Sequence, residues 1–126
     1  MAESIEGRLG AEPYAYLTTT GRRSGEPREI EIWFAAQGDT IYLLNGGGSK
    51  PAGAADWVRN LRALPAAIVR IGGERFTAVP RFIAGAGTED RLARDLLFAK
   101  YQPGNAGDLV GWRETGYPVA LDLRPA

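Results

Sequence analysis

The chain contains no cysteine and no histidine, and these two absences exclude several kinds of site. Without thiols there is no disulfide framework and no cysteine nucleophile. Without imidazole a Ser-His-Asp triad cannot form, and zinc or haem sites with an imidazole or thiolate ligand require a partner to supply that ligand. We therefore predict no metal site, and we expect any catalysis to depend on carboxylates, arginine, tyrosine or a cofactor.

Long hydrophobic runs are also missing. The N-terminal MAESIEGRLG has no apolar core of the kind found in signal peptides, and no apolar run approaches the ~18 residues of a membrane span. A cytoplasmic protein without a transmembrane segment is therefore expected. Fifteen basic residues balance fifteen acidic ones, so the net charge favours neither nucleic acid nor an anionic membrane as partner. The length of 126 residues suits one domain, 1–126, in which we predict 1–12 to be flexible.

Among the features that are present, the loop 21–28 (GRRSGEPR) is the most informative. The residues before it, 14–20, and those after it, 28–36, are rich in β-branched and aromatic side chains, which predicts a strand on each side. The two loop glycines permit positive φ, and three arginines face a single carboxylate. Guanidinium groups bind phosphate and carboxylate bidentately, so the loop predicts an anion site to which free backbone N–H groups also contribute. A solvated hairpin tip is the alternative that this composition leaves open.

A second candidate site lies at residues 46–50 (GGGSK), directly before a helix that the sequence predicts over 54–63. Glycines at this place let a flat ligand approach the main chain and expose N–H groups, although a flexible linker would have the same composition. A second cationic zone lies between residues 48 and 82. The sequence allows it to join the first around one ligand, while arginines that flank strands for solubility are the simpler interpretation. Its basic residues are Lys50, Arg59, Arg62, Arg70, Arg75 and Arg81.

The predicted order of elements along the chain is β-β-β-α-β-β-α-α-β. Gly38-Asp39 and Gly72-Gly73 separate strand patterns and predict two hairpins, and the final strand is YPVALDL. Antiparallel strands with short hairpins avoid exposed edges when the sheet closes. The predicted fold class is therefore mainly β with helices, a six-stranded, mostly antiparallel split β-barrel with about three short helices.

Five motifs in order resemble those of one family. They are LTTTGRRSGEPR, a short Gly-rich stretch, DWVRNLRALP, IGGERFTAVPR and AKYQPGNAGDLVGWRETGYPVAL, and together they extend over residues 14–123. This arrangement resembles the deazaflavin (F420)-dependent nitroreductase family, the F420H2-dependent quinone reductases of the split β-barrel, flavin-binding superfamily. The resemblance implies coenzyme F420 as cofactor, a deazaflavin whose tail carries a phosphate and several glutamates. It also makes a homodimer the expected assembly, because split barrels commonly pair.

The resemblance implies two groups of cofactor-binding residues. The first would hold the phosphate and tail, and comprises Arg22, Arg23, Ser24, Gly25 and Arg28. The second would lie along the deazaflavin ring and ribityl chain, and comprises Gly46, Gly47, Gly48, Lys50, Trp57 and Asn60. Asp56 and Val58 flank Trp57, where many members have proline and tyrosine, so the contacts at the ring edge differ in this chain.

The implied reaction is hydride transfer from reduced F420 to an electron-poor small molecule such as a quinone, an enone or a nitro compound. With histidine absent, a tyrosine is the natural hydrogen-bond donor to the acceptor's oxygen. Tyr101 is the first candidate and Tyr117 the second, although either ring can instead be packed with its hydroxyl bonded nearby. Trp112 either lines the acceptor pocket or belongs to the core. Two alternatives are an FMN-dependent oxidoreductase of the same superfamily and a non-catalytic protein that binds or carries F420.

Overall fold

The computed structural model describes residues 3–46, 53–83 and 85–126. Within them the chain forms seven strands and four helices. Their bounds are α1 Ile5–Leu9, β1 Ala15–Thr20, β2 Pro27–Ile32, β3 Ala35–Gln37, β4 Thr40–Asn45, α2 Asp56–Ala63, β5 Ala67–Ile71, β6 Glu74–Phe82, α3 Thr88–Tyr101, α4 Val110–Thr115 and β7 Tyr117–Pro125.

All seven strands belong to one antiparallel sheet in the order β2-β1-β5-β6-β7-β4-β3. The two edge strands, β2 and β3, are separated in sequence only by Trp33 and Phe34. A flat seven-stranded sheet would hold its edges about 29 Å apart at ~4.8 Å per strand, whereas the step from Ile32 to Ala35 spans at most ~10 Å. The sheet must therefore curl until its edges approach each other, and this is the geometry of a split barrel.

The interior of the curled sheet is the main core. It is filled by inward side chains of every strand except β2 and by the buried Ile5, Leu9 and Leu61 of α1 and α2. Ile30 and Ile32 of β2 are only partly buried and pack against this core. A smaller cluster, which includes the buried Leu97, lies where α3 covers β3, β4 and β7. The core thus leaves β2 at the open side of the barrel.

The predicted fold class and both hairpins are confirmed, with two differences. The run 28–36 breaks at Trp33-Phe34 into β2 and β3, which raises the strand number from six to seven. The described residues contain four helices rather than about three, because α1 lies within the segment predicted to be flexible. In α1, Ser4 caps the first turn by accepting from the Gly7 amide at 3.2 Å. Five residues are too few for a periodic pattern, so this helix was not predictable from the sequence. Among the helices of the described residues, none is long and apolar enough to cross a membrane.

Candidate functional site

The cationic loop between β1 and β2 closes tightly on itself. The amide of Gly21 donates to the Glu26 carbonyl oxygen at 2.8 Å, and the amide of Gly25 donates to the Gly21 oxygen at 2.8 Å. The Glu26 amide is bonded to Ser24 Oγ at 3.1 Å. Gly25 has φ of 73°, in the left-handed region that favours glycine. The expectation of free amides is therefore wrong for these three residues, whose N–H groups stabilise the turn instead.

The loop is fastened to helix α2 through Asn60. Asn60 Oδ1 accepts from the Arg22 amide at 3.1 Å and from Arg22 Nη1 at 2.9 Å, so one oxygen binds both main chain and side chain of that arginine. Asn60 Nδ2 donates to Thr19 Oγ1 at 3.1 Å. Arg22 Nη2 in turn reaches Asp56 Oδ1 at 3.3 Å. These bonds place the loop beside the first turn of α2.

A cavity of about 700 Å³ lies between the loop, the start of β2 and α2. Its positive charge comes from Arg22, Arg23 and Arg28, and Trp57 and Ile30 supply apolar surface. The other lining residues are Thr19, Gly21, Ser24, Pro27, Glu29, Asp56 and Asn60. Arg23 and Arg28 are exposed, and Arg28 Nη2 lies 3.3 Å from Ser24 Oγ. An open cavity lined by exposed guanidinium groups and an indole suits a ligand that is anionic at one end and flat at the other.

A second, smaller cavity of about 250 Å³ lies further along β2. Arg28, Ile30 and Ile32 share one face of this strand because alternate residues point the same way. Arg28 and Ile30 line the larger cavity, and Ile32 lines the smaller one together with Trp33 and Trp112. Tyr14, Glu31 and Leu44 complete its wall. At ~3.3 Å per residue, Arg28 and Ile32 are about 13 Å apart, so a cationic cavity and an aromatic cavity lie along the same strand.

Tyr101 belongs to the aromatic cluster beside the smaller cavity. Its ring stacks on Trp33 with centroids 4.2 Å apart and planes 5° from parallel, and Trp112 meets Trp33 edge-on at 5.5 Å. The Tyr101 hydroxyl accepts from the Phe34 amide at 3.0 Å and lies 2.8 Å from the Pro13 oxygen and 3.0 Å from the Phe34 oxygen. Burial raises the pKa of Tyr101 to about 12. The hydroxyl is thus protonated at neutral pH and bonded to main chain.

Lys100 lies beside this cluster and is half-buried. Its Nζ donates to the Phe34 oxygen at 2.8 Å and lies 3.6 Å from the centre of the Phe34 ring. Burial lowers the pKa of Lys100 to about 8. A lysine in this place holds the main chain at the break between β2 and β3, where the aromatic cluster begins.

Tyr117, the second tyrosine candidate, lies at the start of β7 and away from both cavity walls. Its hydroxyl accepts from Arg62 Nη2, and the Arg62 guanidinium also lies over the Phe82 ring at 4.3 Å. The ring of Tyr117 packs against the backbone of Gly53, where a β-carbon would come within 3.1 Å of it. Tyr117 therefore lies beside the chain that enters α2, and its hydroxyl has an arginine partner.

The structure brings six of the predicted cofactor-binding residues to one cavity, namely Arg22, Arg23, Ser24, Arg28, Trp57 and Asn60. Gly25 forms the turn behind it and is not part of the wall. Gly46 lies beside Trp112 of the smaller cavity, where a β-carbon at Gly46 would approach Trp112 Cδ1 to 2.8 Å. Gly47, Gly48 and Lys50 lie outside the described residues.

The second cationic zone does not join this cavity. None of its described members lines the wall. Arg81 is bonded to Glu89 and Asp122 at 2.7 Å each, and these bonds lower the pKa of both carboxyls. Arg70 lies over the Tyr16 ring at 4.3 Å. Arg81 and Arg70 thus contact carboxylates and an aromatic ring away from the loop, so the zone does not surround one ligand together with it.

Several lining residues are not candidates in the sequence analysis, and Trp33 and Thr19 are two of them. The sequence predicts Trp33 within a continuous strand and Thr19 as a strand residue, and it singles out Asp56 only as a neighbour of Trp57. The alternation of REIEIW contained a usable signal for Trp33, because an aromatic residue at the end of an amphipathic edge strand is placed at the rim of a barrel. Thr19 had no such signal, since only the docking of α2 on β1 brings the cavity to it.

Comparison with known proteins agrees with this geometry. The family model described as F420H(2)-dependent quinone reductase matches residues 2–105. An F420H(2)-dependent quinone reductase of Mycobacterium tuberculosis is 34% identical over 73 residues, which cover 56% of this chain and 48% of that protein. The chain thus spans about half the length of the curated relatives it matches.

Solved structures show the same fold at low identity. One described as an F420-H2 dependent reductase has a TM-score of 0.69 at 21% identity, with 89% of this chain and 94% of that chain covered. Another, described as an F420 reductase, has a TM-score of 0.62 at 18% identity and covers 100% of this chain and 96% of that chain. Identities of this size speak for the split-barrel fold alone. The match of the family model over most of the sequence goes further: the chain belongs to the F420H(2)-dependent quinone reductase family.

Proposed function

We propose that the protein is an F420H2-dependent reductase that binds F420 in a groove formed by the two cavities along β2 and reduces an electron-poor small molecule. The observations that support this most directly are the two cavities. The larger has the exposed guanidinium groups of Arg23 and Arg28 together with the Trp57 indole, and the smaller is lined by Trp33 and Trp112. The first suits a cofactor with a polyanionic tail and a flat ring, and the second suits an electron-poor acceptor.

The residues present fit that cofactor by their donor chemistry. Arg22, Arg23, Ser24, Gly25 and Arg28 form the loop that would hold the phosphate and tail, and guanidinium forks suit phosphate and carboxylate oxygens. Trp57 with Asn60 would lie along the ring and ribityl chain, together with Gly46 and the neighbouring Gly47, Gly48 and Lys50. When bound in its reduced form, F420 supplies a hydride from C5 of the deazaflavin.

The chain's own contribution to the reaction is placement and exclusion of water. Apolar walls at Ile30, Ile32 and Trp57 remove water from the groove and strengthen the charged hydrogen bonds at its open end. The acceptor is proposed to lie against the aromatic cluster. Tyr101, and after it Tyr117, are the proposed donors to its oxygen, and for Tyr101 such donation requires giving up the bond to the Pro13 or Phe34 oxygen.

The first test is cofactor choice. Purified protein is titrated with F420 and, separately, with FMN, and binding is followed by calorimetry and by fluorescence. Binding of F420 together with turnover on a quinone, an enone or a nitro compound supports the proposal. Tight FMN binding without F420 binding favours an FMN-dependent oxidoreductase instead. Binding of F420 without turnover on any of the three acceptor classes identifies a carrier.

The second test is the role of the loop. Arg28→Ala removes a guanidinium that has only Ser24 as a partner in the described chain, so its loss leaves the fold intact. F420 affinity should fall by about 1 to 3 kcal/mol if Arg28 forms a charged hydrogen bond to the tail. Arg59→Ala is the matched control, because Arg59 is an exposed arginine of α2 outside the cavity wall. If the two variants bind F420 with equal affinity, the loop is a solvated hairpin tip and not an anion site.

We further propose a homodimer and a cytoplasmic location. One similar structure is described as a domain-swapped dimer, with a TM-score of 0.69 at 21% identity over 89% of this chain and 80% of that chain. Light scattering of the purified protein measures the mass directly. The concentrations should extend from about 10 µM to about 100 µM, because a dimer dissociates on dilution. A mass of one chain of 13.6 kDa throughout that range would rule out the dimer.

A further inference from the structure

We propose that Asn60 and Arg22 are positioning residues that hold the loop 21–28 against α2, and that the tail anion is bound by Arg23, Arg28 and the Arg23 and Ser24 amides. The identity of the anion rests on the proposed function above. The distinction between positioning residues and anion-binding residues is argued from hydrogen bonds and ion pairs within the chain.

The side chain of Asn60 is buried and hydrogen-bonded within the protein. It is 3% exposed, and its carboxamide oxygen already accepts two hydrogen bonds, both from Arg22. One N–H of its amide group is bonded to Thr19 Oγ1, and Thr19 is itself 2% exposed. An amide side chain has four hydrogen-bonding positions, and three of them are occupied here. Asn60 therefore serves to join β1, the loop and α2.

Arg22 is turned toward the protein, unlike the other two loop arginines. Its side chain is 24% exposed and is bonded to Asn60 and to the carboxylate of Asp56. Asp56 offsets part of its charge, which lowers its attraction for a second anion. Arg23 has no side-chain hydrogen bond within the described residues, and Arg28 has only the one to Ser24 Oγ. The guanidinium groups that remain available are those of Arg23 and Arg28.

The amides of the loop divide in the same way. Those of Gly21, Arg22, Gly25 and Glu26 are bonded within the protein. The amides of Arg23 and Ser24 donate to no acceptor in the part of the chain that the structure describes. Two successive free N–H groups beside the exposed guanidinium groups of Arg23 and Arg28 are donors of the kind that bind phosphate oxygens. Holding these donors in place before the anion arrives reduces the entropy lost on binding, and this is the function we assign to Asn60.

The first experiment tests the fastening in the protein without cofactor. Amide hydrogen exchange is measured by NMR for Arg22 in the wild type, in Asn60→Leu and in Asn60→Asp. Leucine removes the acceptor at similar volume, whereas aspartate keeps oxygens for Arg22 and can accept from the Thr19 hydroxyl. We expect exchange of the Arg22 amide at least about tenfold faster in Asn60→Leu and near the wild-type rate in Asn60→Asp. Fast exchange in the wild type would overturn the proposal.

The second experiment separates positioning from direct binding. Calorimetry gives Kd for F420 and for the deazaflavin core without its tail, at several salt concentrations. A residue that binds the anion directly changes the dependence of log Kd on log salt, because one fewer ion is released. Arg28→Met and Arg23→Met should flatten that dependence. Arg22→Met and Asn60→Leu should weaken F420 binding about tenfold and leave the salt dependence unchanged, and Arg22→Met should also leave binding of the tail-less core unchanged.

One control variant and two results that would contradict the proposal complete the experiment. Arg59→Met, an exposed charge change on α2, should keep both affinities. The proposal is wrong if Arg22→Met flattens the salt dependence as much as Arg28→Met does. It is also wrong if Asn60→Leu binds F420 like the wild type while its Arg22 amide exchanges fast. If the wild type binds no F420, the proposed function fails, and pyrophosphate then replaces F420 as the probe in the same comparison.

Discussion

The hydroxyl group of Tyr101 provides the sharpest test of how the aromatic end of the groove is built. Tyr101→Phe removes one oxygen and keeps the ring, so the stack on Trp33 remains. The oxygen accepts from the amide of Phe34, a residue with 0% exposure, at 3.0 Å. It has one proton, which serves either the Pro13 or the Phe34 oxygen at a time.

The cost of this substitution follows from what is left unpaired. The Phe34 oxygen retains its bond from Lys100 at 2.8 Å, and Pro13 is exposed, so water can replace the lost proton at its oxygen. The Phe34 amide has no such replacement, and an unsatisfied buried donor costs about 1 to 3 kcal/mol. We therefore expect the free energy of unfolding to fall by that amount, with a drop in Tm of roughly 3 to 5 °C per kcal/mol for a chain of this size.

Urea unfolding of the wild type and the variant, monitored by tryptophan fluorescence, measures the difference. Tyr14→Phe is the control, because Tyr14 is 42% exposed and its hydroxyl has no hydrogen bond within the described residues. Equal stability of Tyr101→Phe and the wild type would refute this reasoning. If turnover then fell while F420 affinity stayed the same, the hydroxyl would act on the acceptor's oxygen, as the sequence predicts.

Two further predictions concern packing and charge. Gly116→Ala should lower the free energy of unfolding by about 1 to 3 kcal/mol, because the added carbon would overlap the side chain of Leu44, whereas Gly111→Ala meets nothing within 4 Å and should not. Thermal unfolding at pH 7 compares the two, and equal Tm values would contradict the overlap. Arg81→Met should remove less than about 1 kcal/mol at pH 7, since the ion pairs are more than a third exposed. Arg81 lowers the pKa of both partner carboxyls, so this stabilisation is present above about pH 4 and is lost as the pH falls through the lowered values. Denaturant titrations from pH 7 to pH 2 should therefore converge for wild type and variant, and a constant gap would be evidence against the pairing.

Local patterns in the sequence carried much of the fold. The Gly-Asp and Gly-Gly pairs predicted two hairpins, and glycines with φ of 61°, 56° and 85° form them, because positive φ costs glycine little. The break between β2 and β3 was not predictable in this way. Residues 28–36 have strand composition throughout, and only the closing of the sheet interrupts the pairing at Trp33-Phe34.

For the site as well, the residue types were predictable from the sequence and the contacts between distant residues were not. Composition indicated which residues carry charge, and it placed Arg22, Arg23 and Arg28 in one loop beside a turn-forming Gly25. It could not indicate which of these charges are already paired. Arg22 is bonded to Asp56 and Asn60, which lie 34 and 38 positions further along the chain. Both belong to α2, and the position of this helix depends on its packing against β1.

The sequence by itself determined the excluded chemistries, the strand and turn pattern, and a cationic loop with an anion as its expected ligand. These properties depend on residue type and on neighbours in the chain. Tertiary structure alone decided that the second cationic zone lies away from the loop cavity, that Tyr101 is bonded to main chain, and that the cavities of Arg28 and of Trp33 with Trp112 lie along one strand. Such facts depend on contacts between distant residues, and these form only when the sheet curls and the helices pack against it.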